Sequence, residues 1–212
     1  MWQTRDTDET PWPVFTDIMT SVLLLVVLLF VYQYLRDLQV RQAAARAALY
    51  QTEVRMQVRS VIKDTVKLRI DSLRPDQQRM RFDADLLFES CRANLRPEGE
   101  ALIRNLGGVL KGHAGKFASV DIEGHADRRP IGSGCEFASN WELSSARATA
   151  VVVLLARDAL VPSRCLAATG RAEFIPFDPD NLDLNRRIEV RITYRTDAIP
   201  SASRAEEDAY CP

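Results

Sequence analysis

The chain has 212 residues, which is enough for one domain of ordinary size with an appendage. Its 28 basic and 29 acidic residues leave a formal charge of −1. This balance argues against nucleic-acid binding, because proteins of that class usually carry a basic excess. The hydrophobic content of 46% is ordinary for a globular protein, but the apolar residues are unevenly spread. The run Val22–Val31 is entirely apolar, and between Val14 and Leu35 the only carboxylate or basic side chain is Asp17.

Residues 14–35 predict a single transmembrane helix that is retained in the mature protein. At 1.5 Å per residue this segment would be about 33 Å long, close to the ~30 Å of a hydrocarbon core. A signal peptide would begin with basic residues and end at a small-residue cleavage site, whereas residues 1–13 are acidic and no Ala-x-Ala site follows. Arg36, Arg41 and Arg46 come after the span, so the positive-inside rule alone would place the C-terminal part in the cytoplasm.

Asp17 is the most informative residue of this segment. A carboxylate costs on the order of 3 kcal/mol at the centre of a membrane and less near its edges. Thr20 and Ser21 follow at helical spacing, so the three polar side chains share one face. Two interpretations remain open: an interfacial Asp favoured by the helix dipole, or an ion-binding carboxylate that faces a partner helix.

The remaining residues predict a helical linker and then one α+β domain. Residues 36–65 are rich in Ala, Arg and Gln and lack Gly and Pro, which favours a helix. Alternating apolar residues predict a β-hairpin, with strands at Val66–Ile70 and Arg79–Asp83 and a turn over Asp71–Asp76. The predicted elements that follow are helix Glu100–His113, strand Phe117–Glu123, helix Trp141–Ala159, and strands Cys165–Thr169 and Arg187–Tyr194. The order β-hairpin-α-β-α-β-β predicts an α/β sandwich with helices on one sheet over residues 66–195, followed by a tail at 196–212.

Four short motifs carry a resemblance to known families. Ile122–Asp127 (IEGHAD), Asn140–Ala148 (NWELSSARA) and Asn185–Val190 (NRRIEV) resemble the GHTD, NxxLSxxRA and NRRVE motifs of OmpA-like peptidoglycan-binding domains. Phe15–Ser21 (FTDIMTS) resembles YADFMTA of the flagellar stator subunit MotB, a block that the B subunit of the Zorya anti-phage system shares. One span with an early Asp, a linker and an OmpA-like domain is the layout of those B subunits.

The resemblance implies a binding site for diaminopimelate, whose far end presents an ammonium beside a carboxylate. The family's Asp and Arg at these motifs take the ammonium and the carboxylate, and here they correspond to Asp127 and Arg147. Asn140 is expected to order the ligand loop and, with Ser144, to cap the helix start. Arg187 is expected near the ligand carboxylates. The alternative is that Asp127 and Arg147 form a purely structural ion pair.

The cysteines and histidines do not predict a metal site. There is no C-x-x-C spacing, and the only histidines are His113 and His125, of which His125 is expected to hold its turn by hydrogen bonding. Four cysteines fit disulfides in an oxidising periplasm. Of the three possible pairings, the fold implied by the resemblance favours Cys91–Cys135 and Cys165–Cys211, with free buried thiols as the alternative. Disulfides and peptidoglycan both require a periplasmic C-terminal domain, against the positive-inside rule.

The resemblance implies the B subunit of an ion-driven stator in the bacterial inner membrane, with a cytoplasmic N-terminus and no enzymatic activity or cofactor. Such B subunits form a homodimer inside five multi-span A subunits. Asp17 would carry the transported proton or sodium ion with support from Thr20 and Ser21, and residues 38–49 are a candidate plug. The alternative is a passive inner-membrane tether to peptidoglycan. A flagellar or a defence role, and proton or sodium coupling, both stay open.

Overall fold

The computed structural model describes residues 12–62, 68–132 and 134–196, and the chain divides between Gln42 and Ala43 into two units. The predicted N-terminal tail, apart from its last residues, and the tail that contains Cys211 lie outside the described residues. The first helix, α1, runs from Trp12 to Val61. It therefore includes the predicted span and most of the predicted linker.

Within the first unit, the stretch Val22–Val31 of α1 is apolar on all sides. Side chains around its circumference are exposed, as at Leu25 (58%) and Phe30 (70%). The mean hydropathy of its most apolar window is 2.3, so α1 is long and apolar enough to cross a membrane by length and composition. An apolar surface that surrounds a helix completely is typical of a membrane span or a buried core helix, and here it is not buried.

The second unit is built on one five-stranded mixed sheet. Its strands are β1 (Arg69–Arg74), β2 (Gln77–Asp83), β3 (Phe117–His125), β4 (Leu166–Gly170) and β5 (Arg187–Tyr194). They lie in the order β1-β2-β5-β3-β4, in which only β3 and β4 pair in parallel. Besides the end of α1, the α-helices described in this unit are α2 (Ala84–Leu87), α3 (Pro97–Lys111) and α4 (Asn140–Arg157). The predicted α+β class and the order of its main elements are confirmed.

The two faces of the sheet have opposite character because side chains alternate along each strand. On β5, Ile188, Val190 and Ile192 are fully buried in the hydrophobic core. The alternate residues Arg187 and Glu189 are also buried but form an ion pair, with Nε 2.7 Å from Oε1. One face therefore holds the apolar core, and the other holds a layer of paired charges.

The C-terminal part of α1 belongs to the core of the second unit. Val54, Val58 and Ile62 recur at helical spacing and are at most 4% exposed. Gln51 Nε2 donates to the carbonyl oxygens of Arg74 and Pro75, each at 2.8 Å. These residues thus pack against the domain, although the sequence pattern predicts only a linker there.

The predicted boundary of the first strand is wrong. Residues 71–74, which have turn-like composition, extend β1, and Asp71 and Ser72 pair with Arg79 and Gln78 of β2. The turn is confined to Pro75 and Asp76. Pairing with a neighbouring strand outweighs the weak strand preference of Asp and Ser.

We expect Val58→Ala to lower the free energy of unfolding by about 1–3 kcal/mol, because it removes buried methyl groups and leaves a cavity. Val61→Ala is the matched control: the residue ends the same helix and is 43% exposed, so its change should stay within about 0.5 kcal/mol. Urea unfolding of the full chain in detergent measures both. Equal effects of the two substitutions would contradict the packing described here.

Candidate functional site

A close crossing of β3 and α4 sets the geometry of the site. Gly124 lies against the backbone of Ser144, where any side chain would overlap the Ser144 carbonyl group. Ser144 Oγ accepts a hydrogen bond from the N–H of Ala172 at 3.1 Å, and Ala126 N–H donates to the Ala172 carbonyl at 2.9 Å. The end of β3 and the start of α4 are thereby held side by side.

A cavity of about 500 Å³ opens at this crossing. Its walls come from the end of β3, the start of α4, the loop between them, and the segment that joins β2 to α3. The polar side chains that line it include Asp127, Asn140, Arg147, Asp85, Arg96, Arg129 and Arg186. Of the four residues predicted to bind peptidoglycan, the fold brings three together here: Asp127, Asn140 and Arg147.

Asp127 forms the negative end of the cavity. Its Oδ2 lies 2.8 Å from Arg186 Nη1 and 3.1 Å from Arg129 Nε, and its Oδ1 accepts the N–H of Arg129 at 2.9 Å. Arg186 also pairs with Asp85 and Asp183, and Arg129 with Asp183. Hydrogen bonding to Asp85 is the main cause of a raised pKa of Arg186. The carboxylates of this cluster are those of Asp85, Asp127 and Asp183, and they pair with only two guanidinium groups, those of Arg129 and Arg186. The cluster therefore has one negative charge in excess.

Arg147 forms the positive end. Its side chain is buried, and it donates from Nε to the Arg92 carbonyl (2.9 Å) and from Nη2 to the Glu89 carbonyl (3.1 Å). Burial lowers the pKa of this guanidinium. Among the described residues no carboxylate pairs with it. Asp127 and Arg147 are therefore not partners of each other, and the structural ion pair considered from the sequence is wrong.

Asn140 holds the loop that follows Asp127. Its Nδ2 donates to the carbonyl oxygens of Asp127 (3.1 Å) and Arg129 (3.2 Å).

The predicted caps of α4, Asn140 and Ser144, are wrong. The N-cap is Ser139, whose hydroxyl accepts the N–H of Glu142. Ser144 instead donates to the Trp141 carbonyl one turn into the helix.

Arg187 does not line this cavity, which corrects the sequence-based prediction. Its guanidinium is buried against Glu189 and donates to the Ile175 carbonyl at 3.2 Å. The neighbouring Arg186, one residue before β5, contacts Asp127 instead. The NRR motif contains both arginines, but the motif alone does not show which of them faces the cavity.

A disulfide joins Cys91 to Cys135, with a Cα–Cα distance of 5.0 Å. Cys91 belongs to the turn that supplies the two carbonyl acceptors of Arg147, and Cys135 to the loop after Asp127. The bond therefore ties together the two segments that carry the positive and negative ends of the cavity. The predicted partner of Cys165 is Cys211, outside the described residues, so that pair stays a prediction.

A second group of titratable residues lies on the charged face of the sheet. Ligand atoms of Glu123, His125 and Glu189 all lie within 4.8 Å of one another, which is close enough to hold a metal ion. However, arginines contact both carboxylates, with Arg171 3.0 Å from Glu123 and Arg187 2.7 Å from Glu189. The adjacent His125 ring and Arg171 lower the pKa of Glu123 to about 2. Cations already neutralise these carboxylates, so the arrangement is best explained as an ion-pair layer.

Asp17 lies in the first unit with an exposed side chain that makes no hydrogen bond or ion pair to any described residue. The hydroxyl groups of Thr20 and Ser21 do not donate to the Asp17 carboxylate. Thr20 Oγ1 donates to the Thr16 carbonyl at 2.8 Å and Ser21 Oγ to the Asp17 carbonyl at 2.7 Å. The two hydroxyl groups are therefore satisfied by the backbone of their own helix.

Comparison with known proteins agrees with the motifs. The family model described as the OmpA family matches residues 87–189. Motility protein B of Bacillus subtilis is 31% identical over 114 residues, which is 52% of this chain and 42% of that protein. The chain spans less than half the length of the curated relatives that it matches.

Two solved structures have a similar fold. A putative MotB like protein from Desulfovibrio vulgaris has a TM-score of 0.66 at 22% identity, and covers 74% of this chain and 99% of its own. The cell wall anchor of the T6SS from Pseudomonas aeruginosa has a TM-score of 0.54 at 27% identity, over 61% of this chain and 89% of its own.

Replacing Cys91 and Cys135 together by Ser should lower the free energy of unfolding by about 2–5 kcal/mol, since the bond closes a long loop in the unfolded chain. Denaturant unfolding of the full-length protein under oxidising conditions measures the difference. A double variant as stable as the parent would show that this disulfide does not stabilise the domain.

Proposed function

We propose that the protein is the wall-anchored B subunit of an ion-driven stator in the bacterial inner membrane. Two findings support this proposal: residues 87–189 match the OmpA family model, and the chain is similar to motility protein B. The observation that carries the proposal is the cavity with Asp127 at one end and Arg147 at the other. These two ends match the ammonium and the carboxylate at the far end of diaminopimelate. The ligand is thus the peptide of peptidoglycan.

In this proposal the ligand ammonium binds Asp127 and displaces a guanidinium. Arg129 is the group that leaves, because its side chain is 55% exposed whereas that of Arg186 is 24% exposed. The ligand carboxylate binds the remaining donor edge of Arg147, whose Nε and Nη2 are fixed by backbone carbonyls. Donors that are held in place before binding lose little entropy when the ligand arrives.

The apolar part of α1 anchors the chain in the membrane, and the domain in the second unit lies in the periplasm. Peptidoglycan and a structural disulfide both belong to that compartment. A wall-bound domain on a membrane helix can resist a force that is generated in the membrane. We propose a homodimer surrounded by multi-span A subunits, with five A subunits for two B subunits.

Asp17 is the ion-carrying residue of the proposal. An unpaired carboxylate within an apolar helix is costly unless a proton, an ion or a partner helix compensates it. Its side chain has no partner in its own chain among the described residues, and Thr20 and Ser21 are turned to the backbone. One elementary charge that crosses 100 mV releases about 2.3 kcal/mol, which binding and release at Asp17 would convert into motion of the surrounding subunits.

Asp127→Asn and Arg147→Lys should each weaken binding of the full chain to purified sacculi about tenfold or more, since each removes a charge-assisted contact or its bidentate geometry. Asp180→Asn is a matched control, because Asp180 is exposed and does not line the cavity. Co-sedimentation at fixed salt measures the affinity. Sacculus binding that survives both site substitutions would contradict the proposed anchor.

Asp17→Asn should abolish ion flux through the complex of this chain with its A subunit while wall binding stays intact, because the amide cannot bind and release a proton. Asp37→Asn is the control, since Asp37 is exposed and pairs with Arg41 at 2.8 Å beyond the predicted span. A pH-sensitive dye in proteoliposomes, with and without sodium, records the flux. Undiminished flux in Asp17→Asn, or no flux in the parent complex, would contradict the motor and favour a passive tether.

A further inference from the structure

A second arginine at the positive end of the cavity has no function in the binding scheme above. Arg96 lines the same cavity as Arg147, with an exposed side chain. Within the described ranges its guanidinium makes no ion pair or hydrogen bond, although most other arginines of the domain have a partner. An unpaired guanidinium in the wall of a binding cavity is free to bind an anionic group of the ligand.

The backbone places Arg96 on the same wall as Arg147. Phe88 and Leu95 form a β-bridge that closes the turn between them, and Arg96 follows it directly. Arg147 is bonded to carbonyl groups inside this turn, and the Arg96 N–H donates to the Leu87 carbonyl at 2.8 Å. The same turn therefore holds the Arg147 guanidinium and places the backbone of Arg96 beside it.

The charges of the cavity call for a ligand with more than one carboxylate. At the negative end one carboxylate charge is left over after Arg129 and Arg186 are paired. At the positive end neither Arg147 nor Arg96 forms an ion pair with a carboxylate of the described residues. A ligand with one ammonium and one carboxylate would leave one positive charge there, whereas a second carboxylate would neutralise it.

We propose that Arg96 binds a second carboxylate of the peptidoglycan peptide and so determines which form of that peptide the domain prefers. The inference rests on the proposed function. Two carboxylates of the peptide have the required chemistry. The glutamate before diaminopimelate is linked through its γ-carboxyl group and therefore keeps a free α-carboxylate. The other is the carboxylate at the end of the peptide. The planar fork of Arg suits either one.

The test uses the full-length protein and four soluble peptides that contain diaminopimelate. They are the free acid, the form with the glutamate α-carboxyl group amidated, the form with the terminal carboxyl group amidated, and the doubly amidated form. Titration calorimetry gives each Kd. Arg96 supplies no side-chain cap to α3, so Arg96→Ala should leave the fold intact. Arg128→Ala is the control: an equal loss of charge at an exposed residue that does not line the cavity.

We expect Arg96→Ala to weaken binding of the free acid about tenfold and to have no effect on the peptide that lacks the carboxylate in question. If the parent protein binds one of the two singly amidated peptides as weakly as Arg96→Ala binds the free acid, the group amidated in that peptide is the carboxylate that Arg96 binds. Equal weakening of the free acid and the doubly amidated peptide, no weakening of the free acid, or the same weakening in Arg128→Ala would overturn the inference. Asp127→Ala should abolish binding of every peptide, and its failure to do so would count against the proposed function instead.

Discussion

The site depends on one buried guanidinium. Arg147 projects from α4 into the turn that precedes α3, where two backbone carbonyls hold it at 2.9 and 3.1 Å. Burying a cation with neutral partners is unfavourable unless its donors are satisfied and a charge can reach it. The same bonds therefore tie the turn to α4 and hold a buried positive group in the wall of the cavity.

A glycine and a disulfide hold the segments around Arg147 and Asp127 in place. Gly124 allows α4 to cross β3 closely, so that Asp127 and Arg147 face one cavity without touching. The Cys91–Cys135 disulfide then joins the turn around Arg147 to the loop after Asp127. Separation of the two opposite charges is what a ligand with adjacent ammonium and carboxylate groups requires, because a direct ion pair would leave neither charge available.

The sequence predicted the order of elements because the hydrophobic period changes clearly between helix and strand, and the bounds of β5 agree with the prediction. It did not predict that the end of α1 packs into the domain, since Gln51 interrupts the apolar stripe and is buried only because it caps carbonyls of the hairpin turn. Arg187 was assigned to the site in place of Arg186, although β5 begins at the predicted residue. The motif does not show which of the two side chains faces the cavity: Arg187 pairs with Glu189 on the charged face of the sheet, whereas Arg186, just before the strand, contacts Asp127.

The central claim is that Asp127 and Arg147 bind the two charged groups of diaminopimelate at once. A crystal structure of the protein with meso-diaminopimelate tests it most directly. The account predicts the ligand ammonium within about 3.2 Å of an Asp127 carboxylate oxygen and the ligand carboxylate at the same distance from Arg147, with Arg129 moved away from Asp127. A ligand bound elsewhere, or Arg129 still paired with Asp127 beneath a bound ligand, would contradict it.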